Sequence, residues 1–554
     1  MNEVLNVYVD GYGDYSIKKG SNLLQLSKEI NGKSYKKYLG ARINNEVYNL
    51  NKYVKPDMKI KFLDVKDNDG DRIYTKTISA VFIMACKELY GDIDVSIENF
   101  LGPGLYAEFE HNRNISFSKV KEIENKMREI IEKDSKIERI ECLKEEAIRL
   151  FNEVGYEDKV RLLKSIDNEK ASVYKINDHV DSFHGYLAPS TGFVKDFKLK
   201  YYYPGVIILF PRRNNGYDMN NFIEQKKLAK IFKESNDWLE IMDLAYIGSL
   251  NEKVNRGEVG EVVRVSEALH EKKIGFIADE ICKDKDINII LIAGPSSSGK
   301  TTFAQRLAIQ LKVNGKRPIS ISVDDYFVDR ENTPLNEDGT PDFEALEAID
   351  LDAFNIDLLS LLEGNEVELP KFNFITGKRE RSGKIIKVDQ DHPIIIEGIH
   401  GLNPKLTEMI PEKNKYKIYI SALTQLNIDA HNRISTSDTR LIRRIVRDNQ
   451  YRGSDSIRTF ELWGGVRAGE EKHIFPYQEE ADIMFNSSLV YELGVLKKYV
   501  IPLLSKIDSS SIYYGEAKKL LRFLEYFREI DLEEAIPPNS ILREFIGGTY
   551  FNIH

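Results

Sequence analysis

The sequence predicts a multidomain α/β protein: a parallel sheet of the P-loop NTPase type with flanking helices, preceded by a β-grasp domain and an α+β domain. Three observations carry this. At 554 residues the chain is too long for one hydrophobic core. Short strand-like apolar runs alternate along it with amphipathic segments of helical period. In Asn288 to Thr302, NIILIAGPSSSGKTT, such a run breaks into Gly294, four residues, Gly299, Lys300 and Thr301, and a helical segment follows.

Residues 1–64 hold the runs Leu5 to Val9, Ala41 to Val47 and Lys59 to Val65 with one helical segment, Asn22 to Ile30, the pattern of a β-grasp domain. The first 62 residues carry eleven Lys/Arg against six Asp/Glu, a balance of +5 inside a chain of net charge -9. That balance suits an anionic partner such as RNA as well as it suits a solvated lysine-rich face. Residues 65–213 form a second α/β region, with an apolar helix at Ile78 to Tyr90 and an amphipathic one at Val120 to Ile131. In the latter, Val120, Ile123, Met127, Ile130 and Ile131 make a single stripe. Asn214, Asn215 and Gly216 open a polar break, and residues 214–286 form a helical connector into the strand of the glycine-rich loop. Residues 287–500 hold that loop and its sheet. Residues 501–554, with an amphipathic segment at Gly515 to Ile530 and the ending ILREFIGG, predict a helical tail that packs back on the body.

The loop has the composition of a phosphate cradle. Ile289 to Ile292 read as a buried parallel strand and Thr302 to Val313 as the helix behind it. Gly294, Pro295, Ser296, Ser297, Ser298, Gly299, Lys300, Thr301 and Thr302 are the expected nucleotide-binding residues. Glycines let backbone N–H groups turn inward, the helix N-terminus adds positive potential, Lys300 reaches the outer phosphates and Thr301 offers a hydroxyl to Mg²⁺. The later strands speak to the transferred phosphoryl group. Pro318 to Val323 reads as a strand that delivers Asp324, Asp325, Tyr326 and Phe327 at its carboxyl end, where open parallel sheets meet ligands. Pro393 to Ile396 reads as another, ending in Glu397, a second Mg²⁺ candidate. Thr439 to Asp448, TRLIRRIVRD, places Arg440, Arg443, Arg444 and Arg447 at one-turn spacing, so that several guanidiniums share a face able to clamp phosphate, or line an exposed charged helix.

Composition removes several classes. The protein is not globally basic, so RNA contact would be local. Cys86, Cys142 and Cys282 lie far apart without a CxxC or Cys/His pairing, which argues against a zinc site or disulfide framework and fits a reducing cytoplasm. The N-terminus has no basic region followed by an apolar core, and no apolar run approaches bilayer length; neither an export signal nor a membrane anchor is expected. No NKxD-type guanine-reading motif is present, which argues against a GTPase switch.

From about Ile287 to Val500 these motifs, in this order, resemble the uridine kinase and phosphoribulokinase family of P-loop kinases. VDDYF stands where that family has DSFY, which implies Asp324 as general base and Phe327 beside the acceptor. DFEALEAID echoes FDHPDAFD and sets Glu344 where ribose hydroxyls are gripped. Pro370, Lys371, Phe372, Asn373 and Phe374 match the P-x-Y-D-F segment, Ile396 to Ile399 match FEGI, and Asp438 to Asp448 match DTRLxRRxxRD. The resemblance implies ATP and Mg²⁺ as cofactors, with Thr301 and Glu397 on the metal. Lys300, Arg440, Arg443 and Arg447 would stabilise charge from a closing lid, with Arg440 also at the acceptor. It implies transfer of a phosphoryl group to a small-molecule acceptor, the 5′-hydroxyl of uridine or another nucleoside, in a family that often forms homo-oligomers. Two departures bear on the acceptor: Gly377 stands at the base-reading His, and Arg458 replaces a Gln near the nucleoside.

Residues 1–64 resemble a TGS domain, and residues 65–213 the editing domain of threonyl-tRNA synthetase, clearest at Asp181 and at Pro189 to Lys200 (PSTGFVKDFKLK). The editing site's HxxxH and Cys/His pairs are replaced by Lys76, Ala80, Phe183 and Leu187, so an inactive domain kept for binding or regulation is expected. His179 and His184 lie nearby without a Cys or carboxylate at the expected spacing and read as structural. The alternative function is an RNA-binding regulatory protein, holding tRNA or the ribosome through its N-terminal half and using ATP as a switch. An editing hydrolase is the weakest reading.

Overall fold

The computed structural model describes residues 3–91, 93–109, 115–335, 339, 341–373, 376–389 and 391–551. Phe374 of the predicted acceptor segment lies outside them.

Strands β1 (Val4–Val9), β2 (Gly13–Lys18), β3 (Gly40–Ile43), β4 (Glu46–Tyr48) and β5 (Lys59–Leu63) form one sheet in the order β2-β1-β5-β3-β4, with β1 and β5 parallel. Helix α1 (Leu23–Asn31) opens on a capping box between Asn22 and Gln25, which satisfies two end groups of the backbone. The run expected from Ala41 to Val47 is two strands, because Asn44 and Asn45 both take positive φ (47° and 73°) and turn the chain back on itself. Strand β2 went unpredicted: GDYSIK is a polar edge strand that buries only Ile17.

The next region contains α2 (Asn68–Tyr90), β6 (Val95–Leu101), β7 (Gly104–Phe109), α3 (Phe117–Glu132), β8 (Glu138–Leu143), α4 (Lys144–Glu153), α5 (Glu157–Ser165), β9 (Lys170–Ile176), β10 (His179–Asp181), β11 (Lys198–Tyr202) and β12 (Gly205–Leu209). Its strands make two sheets, β11-β12-β7-β6 and β10-β9-β8. Helix α3 buries the predicted stripe. Helix α2 begins at Asn68 rather than Ile78, its first turn carrying Asp69 and Asp71, whose charges favour a helix N-terminus. Helices α6 (Lys226–Ile241), α7 (Ile247–Asn255) and α8 (Val259–Lys283) follow.

The remaining elements are β13 (Ile289–Ala293), α9 (Lys300–Val313), β14 (Ile319–Ser322), α10 (Leu351–Leu362), β15 (Val367–Asn373), β16 (Lys378–Ile386), β17 (Ile394–Glu397), β18 (Lys415–Ser421), α11 (Thr436–Tyr451), α12 (Ser456–His473), β19 (Ile483–Asn486), α13 (Glu492–Leu504), α14 (Tyr514–Leu524) and α15 (Arg543–Ile546). Five of the strands make a wholly parallel sheet in the order β14-β17-β13-β18-β19, with every residue of β13 buried at its centre. Apolar residues of α10 and of β15 pack on one face. The other face shares a core with α8, α9, α11, α13, α14 and α15, and with Phe151 and Leu162 of the second region.

A buried polar seam joins the second region to this sheet. The loop between β18 and α11 puts Asp429 against Lys159 (2.8 Å), His431 against Asp181 (2.7 Å) and the Asn432 amide N–H on the Ser182 carbonyl (2.8 Å). Burial alone would raise Asp181, but His431 and Lys159 overcome it and hold the carboxyl well below the usual range. The tail returns to the front of the molecule, where Lys518 on α14 pairs with Glu46 on β4 at 2.7 Å.

Candidate active site

The carboxyl ends of three adjacent strands meet at one place. In register, Ile292 on β13 and Ser322 on β14 both face Glu397 on β17, so Gly294, Asp324 and Glu397 emerge side by side at the crevice where parallel sheets bind ligands. From Gly294 the loop runs to α9, with Ser297 (φ 59°) and Gly299 (φ 83°) in left-handed conformations that turn its amides inward. A Cβ on Gly294 would stand 2.0 Å from the carbonyl oxygen of Ile420, and one on Gly299 2.5 Å from the Ile541 side chain. The N–H groups of Ser297, Gly299, Lys300 and Thr301 have no protein acceptor among the described residues. They form the kind of anion nest that the spacing predicts.

Lys300 folds over the loop, its ammonium donating to the carbonyls of Gly294 (2.9 Å) and Pro295 (3.2 Å). Burial lowers its pKa, while Glu397, Glu544 and Asp324 pull it back up. The Thr301 hydroxyl donates to Glu397 Oε1 at 3.3 Å, and Glu397 Oε2 is buried without a partner among the described residues. Burial pushes the Glu397 carboxyl up to about 7, against the pull of Lys300. An orphaned buried carboxylate oxygen next to a hydroxyl is a donor set that suits a hard divalent cation, so Thr301 and Glu397 fit Mg²⁺. Asp324 keeps contact with solvent while protein crowds around it; the crowding raises its pKa and Lys300 opposes the rise.

On the acceptor side, Phe327 and Phe372 pack with their ring centres 5.6 Å apart and their planes tilted by 57°, with the Phe372 N–H on Asp325 Oδ1 (3.2 Å). Glu344 is crowded against α12, where a Cβ on Gly469 would stand 2.9 Å from its own. Burial raises its pKa, as does Glu470, while Lys300 and Arg444 oppose. Gly377 sits at φ 70°, and a side chain there would strike Arg330 at 2.9 Å. Arg458 stays on the surface, paired with Glu461 at 2.9 Å, and does not join the group.

The arginine helix corrects one expectation. Residues 439–448 of α11 are all buried, so it is not an exposed charged helix but a wall behind the loop. Arg440 Nε donates to the Ser296 carbonyl (2.9 Å), Arg444 Nη1 to Ser296 Oγ (2.9 Å) and Arg443 Nη1 to the Ser297 carbonyl (3.3 Å). Arg447 turns away to Asp448. Each guanidinium at the loop has a carboxylate: Glu470 for Arg440, Glu492 for Arg443, Asp448 for Arg444. Glu470 also accepts from the Ser296 N–H (3.0 Å), and Glu544 from the Thr302 N–H (3.3 Å) and hydroxyl (2.7 Å). The sequence gives no local signal for these three glutamates; each meets its partner across 30 to 242 residues of chain.

Among the described residues no group of His, Cys, Asp and Glu able to hold a metal ion gathers at the replaced editing positions. Ala80 and Phe183 line a cavity of about 20 Å³ with Asp181 and His179, and Leu187 is core. His179 lies 3.3 Å from Glu88, and the His184 ring packs on Phe523 and Tyr526.

Residues 289–492 match the Phosphoribulokinase / Uridine kinase family. Among curated proteins, the chain is 33% identical over 183 residues to a threonine–tRNA ligase of Caldanaerobacter subterraneus, covering 33% of this chain and 28% of that protein. It is 28% identical over 267 residues to that of Clostridium kluyveri, covering 48% and 40%. The chain thus spans less than half the length of these relatives. A solved structure of a possible uridine kinase from Bacillus stearothermophilus is 18% identical, covers 39% of this chain and 98% of its own, and superposes with a TM-score of 0.27, which carries no weight for function. The chain carries a phosphoribulokinase/uridine kinase family domain at residues 289–492, behind an amino-terminal region that matches threonine–tRNA ligases.

Proposed function

We propose that this protein is an ATP-dependent kinase that phosphorylates the 5′-hydroxyl of uridine or another nucleoside. The observation that carries the reading is the convergence of open loop amides, Lys300, the Thr301–Glu397 pair and Asp324 at the carboxyl ends of β13, β17 and β14. The amides of Ser297 and Gly299 to Thr301 hold the phosphates; Lys300 leaves its loop carbonyls to reach the outer ones. Thr301 and Glu397 would hold Mg²⁺, which would supply charge to neutralise the phosphates. Arg440, Arg443 and Arg444 brace the loop from behind and keep its amides aimed. Asp324, with its raised pKa, takes the proton of the acceptor hydroxyl, while Glu344 and the Phe327–Phe372 pair position the acceptor. Phosphoryl transfer asks for little covalent help, so alignment and electrostatics supply most of the acceleration.

The Arg330 side chain stands where a side chain on Gly377 would go, and the Gly in place of the family's base-reading His supports an acceptor range beyond uridine. We place the protein in the cytoplasm, in keeping with three cysteines that form no disulfide. Among the described residues no helix is long and apolar enough to cross a membrane. The match to threonine–tRNA ligases supports a second reading, an RNA-binding regulatory protein whose TGS-like and editing-like front half holds tRNA or the ribosome and which uses ATP as a switch. Asp324→Asn tests the first: ATP binding should persist while turnover falls on the order of a hundredfold or more, as loss of a general base does. Turnover within a few-fold of the parent would remove Asp324 from that role.

A further inference from the structure

The chain's own carboxylates bracket the phosphate loop. At one end Glu470 accepts from the Ser296 N–H; at the other Glu544 accepts from both the N–H and the hydroxyl of Thr302. Between them the N–H groups of Ser297, Gly299, Lys300 and Thr301 lack a protein acceptor among the described residues. Glu544 stands near enough to the site for its charge to bear on both Lys300 and Glu397. A carboxylate on the first-turn donors of a helix takes up the same N–H groups and positive potential that favour a phosphate. The two cannot hold the same N–H and hydroxyl together, and side by side they repel.

The segment that delivers Glu544 is built for this contact. Ile541 packs against Gly299 of the loop, and Leu542, Phe545 and Ile546 are buried in the core beside α11. The Phe545 ring lies 4.9 Å from the Arg443 guanidinium, and the Gln450 amide donates to the Ile546 carbonyl at 3.2 Å. Loop, arginine helix and carboxyl-terminal segment therefore meet at one point.

We propose that Glu544 is an internal competitor for the nucleotide, an autoinhibitory contact that occupies the Thr302 donors until a bound triphosphate displaces the α15 segment from the loop. This rests on the reading of residues 294–302 as the nucleotide site. The contact lowers resting affinity and makes movement of the carboxyl-terminal segment part of nucleotide binding.

The test is an equilibrium titration of the full chain with a fluorescent Mg-ATP analogue, for the parent, Glu544→Gln and Glu544→Ala, with Mg-pyrophosphate as a competing ligand. Charge-assisted bonds of this kind set an expectation that both variants bind the triphosphate about tenfold or more tightly than the parent. Pyrophosphate, short enough to use the central amides alone, should gain less. Hydrogen exchange on the parent gives a second reading that needs no substitution: residues 537–551 should exchange faster at saturating Mg-ATP. Parent binding with variant affinities unchanged or weaker, or residues 537–551 equally protected with nucleotide bound, overturns the competitor while leaving the nucleotide site intact. Absence of nucleotide binding in every protein overturns both.

Discussion

Arg443 and Glu492 set a stability prediction that follows from their burial. Both side chains are essentially inaccessible (0% and 2% exposed). Besides its ion pair, the guanidinium donates to the Ser487 carbonyl (2.9 Å), to Ser487 Oγ and to the Ser297 carbonyl. Glu492 has Ser488 Oγ at 3.1 Å as its other donor. Glu492→Gln keeps the shape and strands a buried positive charge; Arg443→Met strands a buried negative one. Each is expected to cost about 3–5 kcal/mol, the usual penalty for an uncompensated buried ion and a large share of a domain's stability. The double variant leaves neither charge stranded and should cost no more than either single change, a coupling of about 3 kcal/mol or more. Urea unfolding followed by tryptophan fluorescence reads this core, because the two tryptophans lie in it: Trp463 beside the Arg440 guanidinium and Trp238 against His270. Single variants within about 1 kcal/mol of the parent, or a double variant equal to their sum, would refute the description of α11 as a buried wall held by ion pairs.

Two further outcomes follow from the geometry. Gly294→Ala places a methyl group 2.0 Å from the Ile420 carbonyl, so the loop must shift and nucleotide binding should be lost while the sheet stays folded; unchanged affinity in a titration would contradict the close approach. Burial, with Arg72 and Lys519 nearby, lowers the Lys76 ammonium to about 7, so between about pH 7 and 10.5 the unfolded chain holds a proton there that the folded chain sheds. Stability is therefore taxed most below pH 7, and Lys76→Met should raise the melting temperature more at pH 6.5 than at pH 9.5; an equal gain at both would contradict it.

What could be read from the sequence was what local patterning controls. The glycine spacing, the apolar strand ahead of it and the stripe on α3 each depend on residues within one or two turns, and they stand in the structure where they were expected. Strand β2 was hidden because an edge strand needs little apolar surface. The fate of α11 was hidden for a different reason. Its arginines look like a solvated or clamping face until Glu470, Glu492 and the loop carbonyls arrive from other parts of the chain to neutralise and bury them. The Glu544 contact with Thr302 spans 242 residues and has no periodicity to announce it. The same holds for Lys159 and Asp429, which join the second region to the sheet across 270 residues.

The proposed reaction is transfer of the γ-phosphoryl group to a nucleoside. Its most direct measurement is the mass of the product formed when the purified protein is given Mg-ATP with a panel of nucleosides, ribulose 5-phosphate and pantothenate. A nucleoside 5′-monophosphate, formed in step with ADP, is the predicted result. ATP bound with no phosphorylated product from any nucleoside would contradict the account.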